Sequence, residues 1–234
     1  MSLLDRASTF RRSGFERAPF VFSYDISSPK NARSVRRCLR RWRMDGQLSV
    51  HEAILTPPEA EALSVELADL VDPETDSLLV FRLSRRGHGP VLSLSSIMPA
   101  TPFARHREPL PRYLHDGWYV VAYDVSEPRR LRRVQRITSQ HGAFLQRSVY
   151  LFSGEGAALA EVLREAAGVL EQGQDDLRVY ALSGPDDLWF LCGEAPPLTG
   201  VTQTPSPQMW QRLHGWTMSQ STEPLIYNPL IEKQ

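Results

Sequence analysis

At 234 residues the chain is long enough for one large domain or two small ones. Its 41% hydrophobic and 23% charged residues are ordinary for a globular protein and exclude wholesale disorder. Lys+Arg and Asp+Glu both number 27, so the net charge of zero excludes a uniformly basic nucleic-acid binder but leaves charged patches open.

Residues 1–18 read as an N-terminal arm. Phe20-Val21-Phe22-Ser23-Tyr24 is a short run rich in aromatic and β-branched residues, the pattern of a buried strand. Ser27-Ser28-Pro29 stops it and can begin a helix. Ala32, Val35, Cys38, Leu39 and Trp42 then recur at helical spacing. Gln47–Leu55 reads as extended. Thr56-Pro57-Pro58-Glu59 has a capping-box pattern with proline at the first helical position, and Leu63, Leu67, Leu70 and Val71 make that helix's apolar stripe. Leu78–Leu83 closes the unit as a strand.

Residues 85–117 carry Pro90, Pro99, Pro102, Pro109 and Pro111 around one apolar patch, Val91–Met98. They are too long for a tight connection, and the patch is a candidate extra strand. From Trp118 the earlier order returns: strand Trp118–Tyr123, a helix with Leu131, Val134 and Ile137 inward, and extended chain from Leu145 to Phe152. A helix with Val162, Ala166, Val169 and Leu170 inward and a strand Leu177–Leu182 follow. Leu188-Trp189-Phe190-Leu191 matches the Val91–Met98 patch in position.

This is a duplication. Tyr24-Asp25-Ile26-Ser27 recurs as Tyr123-Asp124-Val125-Ser126, and the same spacing carries Arg33 onto Arg132, Val35 onto Val134, Ser49-Val50 onto Ser148-Val149 and Asp76 onto Asp175 without a gap. Residues 22–84 and 121–183 share 17 identities, against roughly four expected by chance from ordinary residue frequencies. Each copy has the order β-α-β-β-α-β, the ferredoxin-like pattern. The fold class is α+β: two tandem ferredoxin-like units, at 19–84 and 118–193, joined by the linker and followed by a tail at 194–234. Each unit is small for independent stability, so the expectation is an intrachain pseudo-dimer. The linker's reach, on the order of 100 Å fully extended, leaves pairing between chains open.

A strand ending Tyr-Asp-[Ile/Val]-Ser, then an Arg-rich helix, then Gln-x-Ser-Val resembles the CRISPR-associated Cas2 family. The second copy is the closer match, with Arg129–Arg136 and Gln146-Arg147-Ser148-Val149-Tyr150. The first departs from it, with Arg43-Met44-Asp45 in place of Gly142-Ala143-Phe144 and His51-Glu52 after the shared valine. The resemblance implies small ferredoxin-like proteins that dimerise and bridge the integrase subunits (Cas1) inserting new spacers into a CRISPR array. One chain with two such units resembles a fused form of the family's homodimer. It also implies that Asp25 and Asp124 carry over to the family's proposed metal ligand for nuclease activity.

Charge is segregated along the chain. Residues 30–43 hold Lys30, Arg33, Arg36, Arg37, Arg40, Arg41 and Arg43 with no acid; residues 129–147 hold Arg129, Arg130, Arg132, Arg133, Arg136 and Arg147, again with none. Residues 52–76 carry eight acids and no Lys or Arg. On a helical wheel Arg33, Arg37, Arg40 and Arg41 lie opposite the apolar stripe, with Arg36 and Arg43 flanking. Arg129, Arg132, Arg133 and Arg136 are similarly placed, whereas Arg130 lies nearer the buried edge. Two such helices suit duplex DNA phosphates through salt-sensitive, sequence-independent contacts. The alternative is a solvated face partly neutralised by the acidic helix. The preference for arginine fits phosphate geometry, and a chain-wide arginine bias would produce it too.

Asp25 and Asp124 each end a first strand. A single carboxylate is a poor Mg²⁺ site, but two brought together could hold an ion that keeps most of its waters and activates water at a phosphodiester. The alternative is structural, because Asp before Ser-x-Pro can cap a turn or helix through its carboxylate. The six histidines lack ligand spacing and read as surface or packing residues. Cys38 reads as a small core residue, and two cysteines make no disulfide framework. Neither a membrane-length apolar run nor a signal-peptide start is present, so the expected location is the cytoplasm.

In the tail, Met209, Trp210, Leu213 and Trp216 form a stripe after Ser206-Pro207, and Leu225-Ile226-Tyr227 lie in an extended run. Such aromatic anchors suit docking to a partner, which the resemblance makes the integrase subunit. The alternative is a flap over the protein's own sheet edge. The leading expectation is a spacer-acquisition subunit that binds protospacer duplex. The rivals are a stand-alone metal-dependent ribonuclease or deoxyribonuclease of toxin type and a non-catalytic ferredoxin-like regulatory module.

Overall fold

The computed structural model describes residues 16–42, 45–46, 49–84, 90–97, 114–184 and 187–192. The tail residues singled out above, Arg43, Gln47, Leu48, His88, His106 and His214 lie outside the described residues. The chain forms two compact units, one containing residues 16–84 with 188–192 and the other the described residues between 90 and 187.

In the first unit, strand β1 (Ala18–Asp25) leads to helix α1 (Pro29–Leu39), the short strand β2 (Asp45–Gly46), strand β3 (Val50–Leu55), helix α2 (Pro57–Ala68) and strand β4 (Ser77–Arg82). In the second, a strand β5 (Leu92–Ser93) and one-turn helix α3 (Leu94–Ile97) precede β6 (Gly117–Asp124), α4 (Pro128–His141), β7 (Ala143–Gln146), β8 (Val149–Gly154), α5 (Gly156–Ala167) and β9 (Asp176–Leu182). Strand β10 (Leu188–Cys192) comes last. The α+β, twice-ferredoxin-like order of the sequence is therefore the observed one.

Both candidate extra strands exist, but each sits on the sheet that chain order does not suggest. The sheets run β10-β4-β1-β3-β2 and β5-β9-β6-β8-β7. Thus β10, which follows the second repeat, pairs antiparallel with β4 of the first unit, Trp189 opposite Val80. Strand β5, which follows the first repeat, pairs with β9 of the second, Leu92 opposite Val179. Ladder hydrogen bonds decide this, and no residue periodicity records them. Among the described residues of the Val91–Met98 patch, Leu92–Ser93 is strand and Leu94–Ile97 is helical.

The helical stripes pack as their spacing requires. Val35, Cys38, Leu39, Leu63 and Leu67 are buried with Phe20, Phe22 and Tyr24 in one core, and Trp42, Leu70 and Val71 pack against it. Val134, Ile137, Val162, Ala166 and Leu170 are buried with Tyr119, Val121 and Tyr123 in the other. Along β1, alternate residues Val21 and Ser23 are also buried, as are Val120 and Ala122 along β6. Strands buried on both faces read as continuous apolar runs rather than alternating ones, which is how both first strands read. Helix α2 begins with Pro57, and both the N–H and the hydroxyl of Thr56 donate to the Glu59 carboxylate (2.8 and 3.0 Å). Gly156 opens α5 because a Cβ there would lie 2.3 Å from the Leu114 carbonyl oxygen; its N–H donates to Asp116.

Candidate nucleic-acid interface and strand-end carboxylates

Each first strand delivers its last residue to a turn held by a second aspartate. In the first unit the Ser27 N–H donates to Asp76 Oδ1 (2.9 Å) and the Asp72 N–H to Asp76 Oδ2 (3.0 Å), while the Ser27 hydroxyl donates to the Thr75 carbonyl (3.3 Å). In the second, Ser126 N–H donates to Asp175 Oδ1 (3.1 Å), Glu171 N–H to Asp175 Oδ2 (2.9 Å) and the Ser126 hydroxyl to the Gln174 carbonyl (2.9 Å). Asp76 and Asp175 are buried; a buried carboxylate must be paired or fully hydrogen-bonded. The repeat identities of Asp76 with Asp175 and of Ser27 with Ser126 were the sequence signals for these clamps.

The clamps differ in how the aspartate is completed: in the first the Thr75 hydroxyl also donates to Asp76 Oδ1 (3.3 Å), and in the second an arginine takes hold of Asp175. Arg130 donates from Nε to Asp175 Oδ2 (2.7 Å) and from Nη2 to Asp175 Oδ1 (3.1 Å), and reaches Glu171 (3.1 Å) and Gln174 (3.2 Å) as well. The position matching Arg130 in the first repeat is Asn31. Burial alone would raise the Asp175 carboxyl, but the Arg130 guanidinium and the N–H groups of Glu171 and Ser126 outweigh it and hold it below its ordinary value.

The capping alternative for Asp25 and Asp124 is filled by other residues. At α1 the Asn31 N–H donates to Ser28 Oγ (3.4 Å), and at α4 the Arg129 and Arg130 N–H groups donate to the Glu127 carboxylate (2.8 and 2.7 Å). Asp25 is exposed opposite Ser77. Asp124 is half-buried opposite Asp176, and its carboxyl is raised above the ordinary value, first by burial and then by the charges of Asp176 and Asp175. Asp176 is itself paired with Arg178 (3.0 Å). Among the described residues, groups of three or more His, Cys, Asp or Glu able to hold a metal are absent.

The arginines lie as the wheel placed them. Arg33, Arg37, Arg40 and Arg41 on and just beyond α1 are exposed and Arg36 is half-buried; Arg129, Arg132, Arg133 and Arg136 on α4 are all exposed. Arg41 meets Glu66 of α2 at 3.5 Å. Arg33, Arg37, Arg40, Arg132, Arg133 and Arg136 make no ion pair with any described residue. The acidic helices therefore leave most of both rows uncompensated.

Of the histidines, His51 is buried and stacked on Tyr24 at 5.7 Å between centroids, while His115 and His141 are exposed. Both cysteines are buried; desolvation pushes the Cys38 thiol up to about 12 and that of Cys192 to about 11. No helix among the described residues is long and apolar enough to cross a membrane.

The family described as CRISPR associated protein Cas2 matches residues 19–89 and, separately, residues 117–187. The chain belongs to the Cas2 family. It carries two Cas2 copies in tandem, and its relatives match about one copy each. It is 39% identical over 66 residues to a protein of Nitrosomonas europaea named CRISPR-associated endoribonuclease Cas2 1, covering 28% of this chain and 63% of that one. It is 42% identical over 73 residues to the CRISPR-associated endoribonuclease Cas2 of Allochromatium vinosum, covering 31% and 76%. A Thermus thermophilus protein named CRISPR-associated endonuclease Cas2 2 is 32% identical over 83 residues, covering 36% and 91%.

Proposed function

We propose that this tandem Cas2 protein binds protospacer duplex DNA through the arginine rows of α1 and α4 and serves as the bridge between Cas1 integrase subunits during spacer acquisition. The observation that carries this reading is the recurrence, in both repeats, of an exposed arginine row left unneutralised by the acidic helix. Arginine suits phosphate as a planar, permanently charged donor, and rows on regular helices hold their spacing without sequence readout. The bridging role rests on family membership alone.

A second reading is favoured by the names of the relatives, endoribonuclease and endonuclease. In it Asp25 and Asp124 are the ligands of Mg²⁺. Their donor chemistry fits, since Mg²⁺ prefers carboxylate oxygen and needs few protein ligands. Burial first, and then the charges of Asp176 and Asp175, raise the Asp124 carboxyl, so a bound cation would favour its ionised form. When bound, the ion would supply an activated water and charge stabilisation at the phosphodiester; the protein's part is to hold Asp124 at the end of β6 through the Ser126–Asp175 clamp.

The test is duplex binding and cleavage by the purified chain across a salt series, with Mg²⁺ or EDTA. Salt-sensitive binding without cleavage is expected from a scaffold. Mg²⁺-dependent cleavage that disappears in the Asp25→Asn, Asp124→Asn double variant, with binding intact, makes the chain a nuclease. Absence of salt-dependent binding overturns the duplex reading.

A further inference from the structure

We propose that Arg130 is a positioning residue: locked on Asp175, it fixes the turn between β6 and α4 and so aims the α4 arginine row, making the second repeat the stronger of the two DNA contacts. This rests on the duplex-binding reading above.

Arg130 sits between Arg129 and Arg132, yet it is turned away from them. Its guanidinium makes two bonds to a buried carboxylate and one each to Glu171 and Gln174, so most of its donors are spent within the protein and its side chain is mostly covered. The carboxylate it grips already accepts the N–H groups of Ser126 and Glu171. Arg130 thus ties the first turn of α4 directly to the end of the β6–α4 turn and to the start of β9. A helix held at its first turn presents Arg129, Arg132, Arg133 and Arg136 in a fixed direction, and binding then loses less freedom.

The first repeat lacks this tie while keeping the two N–H bonds to its aspartate; Asp72 and Thr75 stand where Glu171 and Gln174 do, and the Thr75 hydroxyl donates to Asp76 Oδ1 (3.3 Å). Asp76 accepts the Ser27 and Asp72 N–H groups in the same arrangement, but Asn31 stands where Arg130 would. An asparagine cannot reproduce the two-pronged, charged grip of a guanidinium. The first repeat shows that the turn folds without the arginine, so the Arg130→Asn variant should remain folded.

The experiment is a fluorescence titration of a labelled duplex over about 50–300 mM salt with four full-length chains: wild type, Arg130→Asn, Arg130→Lys and Asn31→Arg. Positioning is expected to weaken binding about tenfold in Arg130→Asn and nearly as much in Arg130→Lys, with the slope of log K against log salt unchanged. Asn31→Arg is expected to tighten binding, because Asp76 offers the same acceptor. A slope shallower by about one unit in Arg130→Asn, with Arg130→Lys close to wild type, would mean that Arg130 touches phosphate directly and would overturn the proposal. So would unchanged affinity in both Arg130 variants alongside a lowered Tm, the mark of a structural role alone. A wild-type chain that binds no duplex overturns the underlying reading rather than the role of Arg130.

Discussion

At the end of its first strand the first repeat sets an exposed Asp25 opposite Ser77, whereas the second sets a half-buried Asp124 opposite Asp176. One residue before each of these partners, Asp76 is held by N–H groups and the Thr75 hydroxyl, and Asp175 by N–H groups plus Arg130. Backbone plan and strand register are shared; the charge wiring is not. Duplication preserved the clamp that shapes the turn and left the electrostatics around it free to diverge.

The sharpest way to break this comparison is to remove the clamps. Asp175→Ala leaves two N–H groups without their acceptor and takes from Arg130 its buried carboxylate, leaving it only Glu171 and Gln174; it is expected to cost about 3–4 kcal/mol. Asp76→Ala frees two N–H groups and the Thr75 hydroxyl, none of them charged, and should cost about 2 kcal/mol. Urea denaturation reads both, and equal costs would show that Arg130 adds nothing to the clamp. Both cysteines belong to the first unit, and their thiols are held far from ionisation. Thiol labelling at pH 8 should therefore be accelerated by Asp76→Ala and left alone by Asp175→Ala.

A smaller effect is expected at the start of the second helix, where the repeats differ as Pro57 and Gly156. Gly156→Ala forces a methyl against the Leu114 carbonyl and should cost about 2 kcal/mol. An unchanged urea midpoint would mean that the chain before β6 moves aside freely.

The smallest effect concerns the strand-end carboxylates and their pH dependence. Because the folded Asp124 carboxyl is raised, the folded state holds its proton more tightly than the unfolded chain does. Its contribution is most favourable at low pH and is lost as pH rises through the raised value. Asp124→Asn is thus expected to stabilise at neutral pH by a few tenths of a kcal/mol after solvent screening. Asp175 runs the other way: its lowered carboxyl contributes above the ordinary carboxylate range near about 4 and loses that contribution as pH falls through its folded value. Thermal melts of both Asn variants from pH 3 to pH 7, on the order of the carboxylate window, check these opposite signs.

Much of this was legible in the sequence. The constant spacing of the repeat, the helical stripes and the acid-free arginine runs are local patterns, and local patterns survive in one dimension. Arg130 could be placed near the buried edge but not given its partner, because Asp175 lies on another element and only the folded turn brings them together. The cap residues Ser28 and Glu127 were hidden behind the more conspicuous Asp25 and Asp124. The edge strands β5 and β10 were visible as apolar patches, while the sheet each joins is a matter of ladder pairing that composition does not encode.

The proposed duplex binding depends on the arginine rows. The most direct measurement is the salt dependence of duplex affinity for the wild-type chain beside an Arg132→Gln, Arg133→Gln, Arg136→Gln variant. The account expects steep dependence in the wild type, with the slope reduced by about 2–3 units in the variant and its fold intact. Equal slopes and affinities in the two proteins would contradict it.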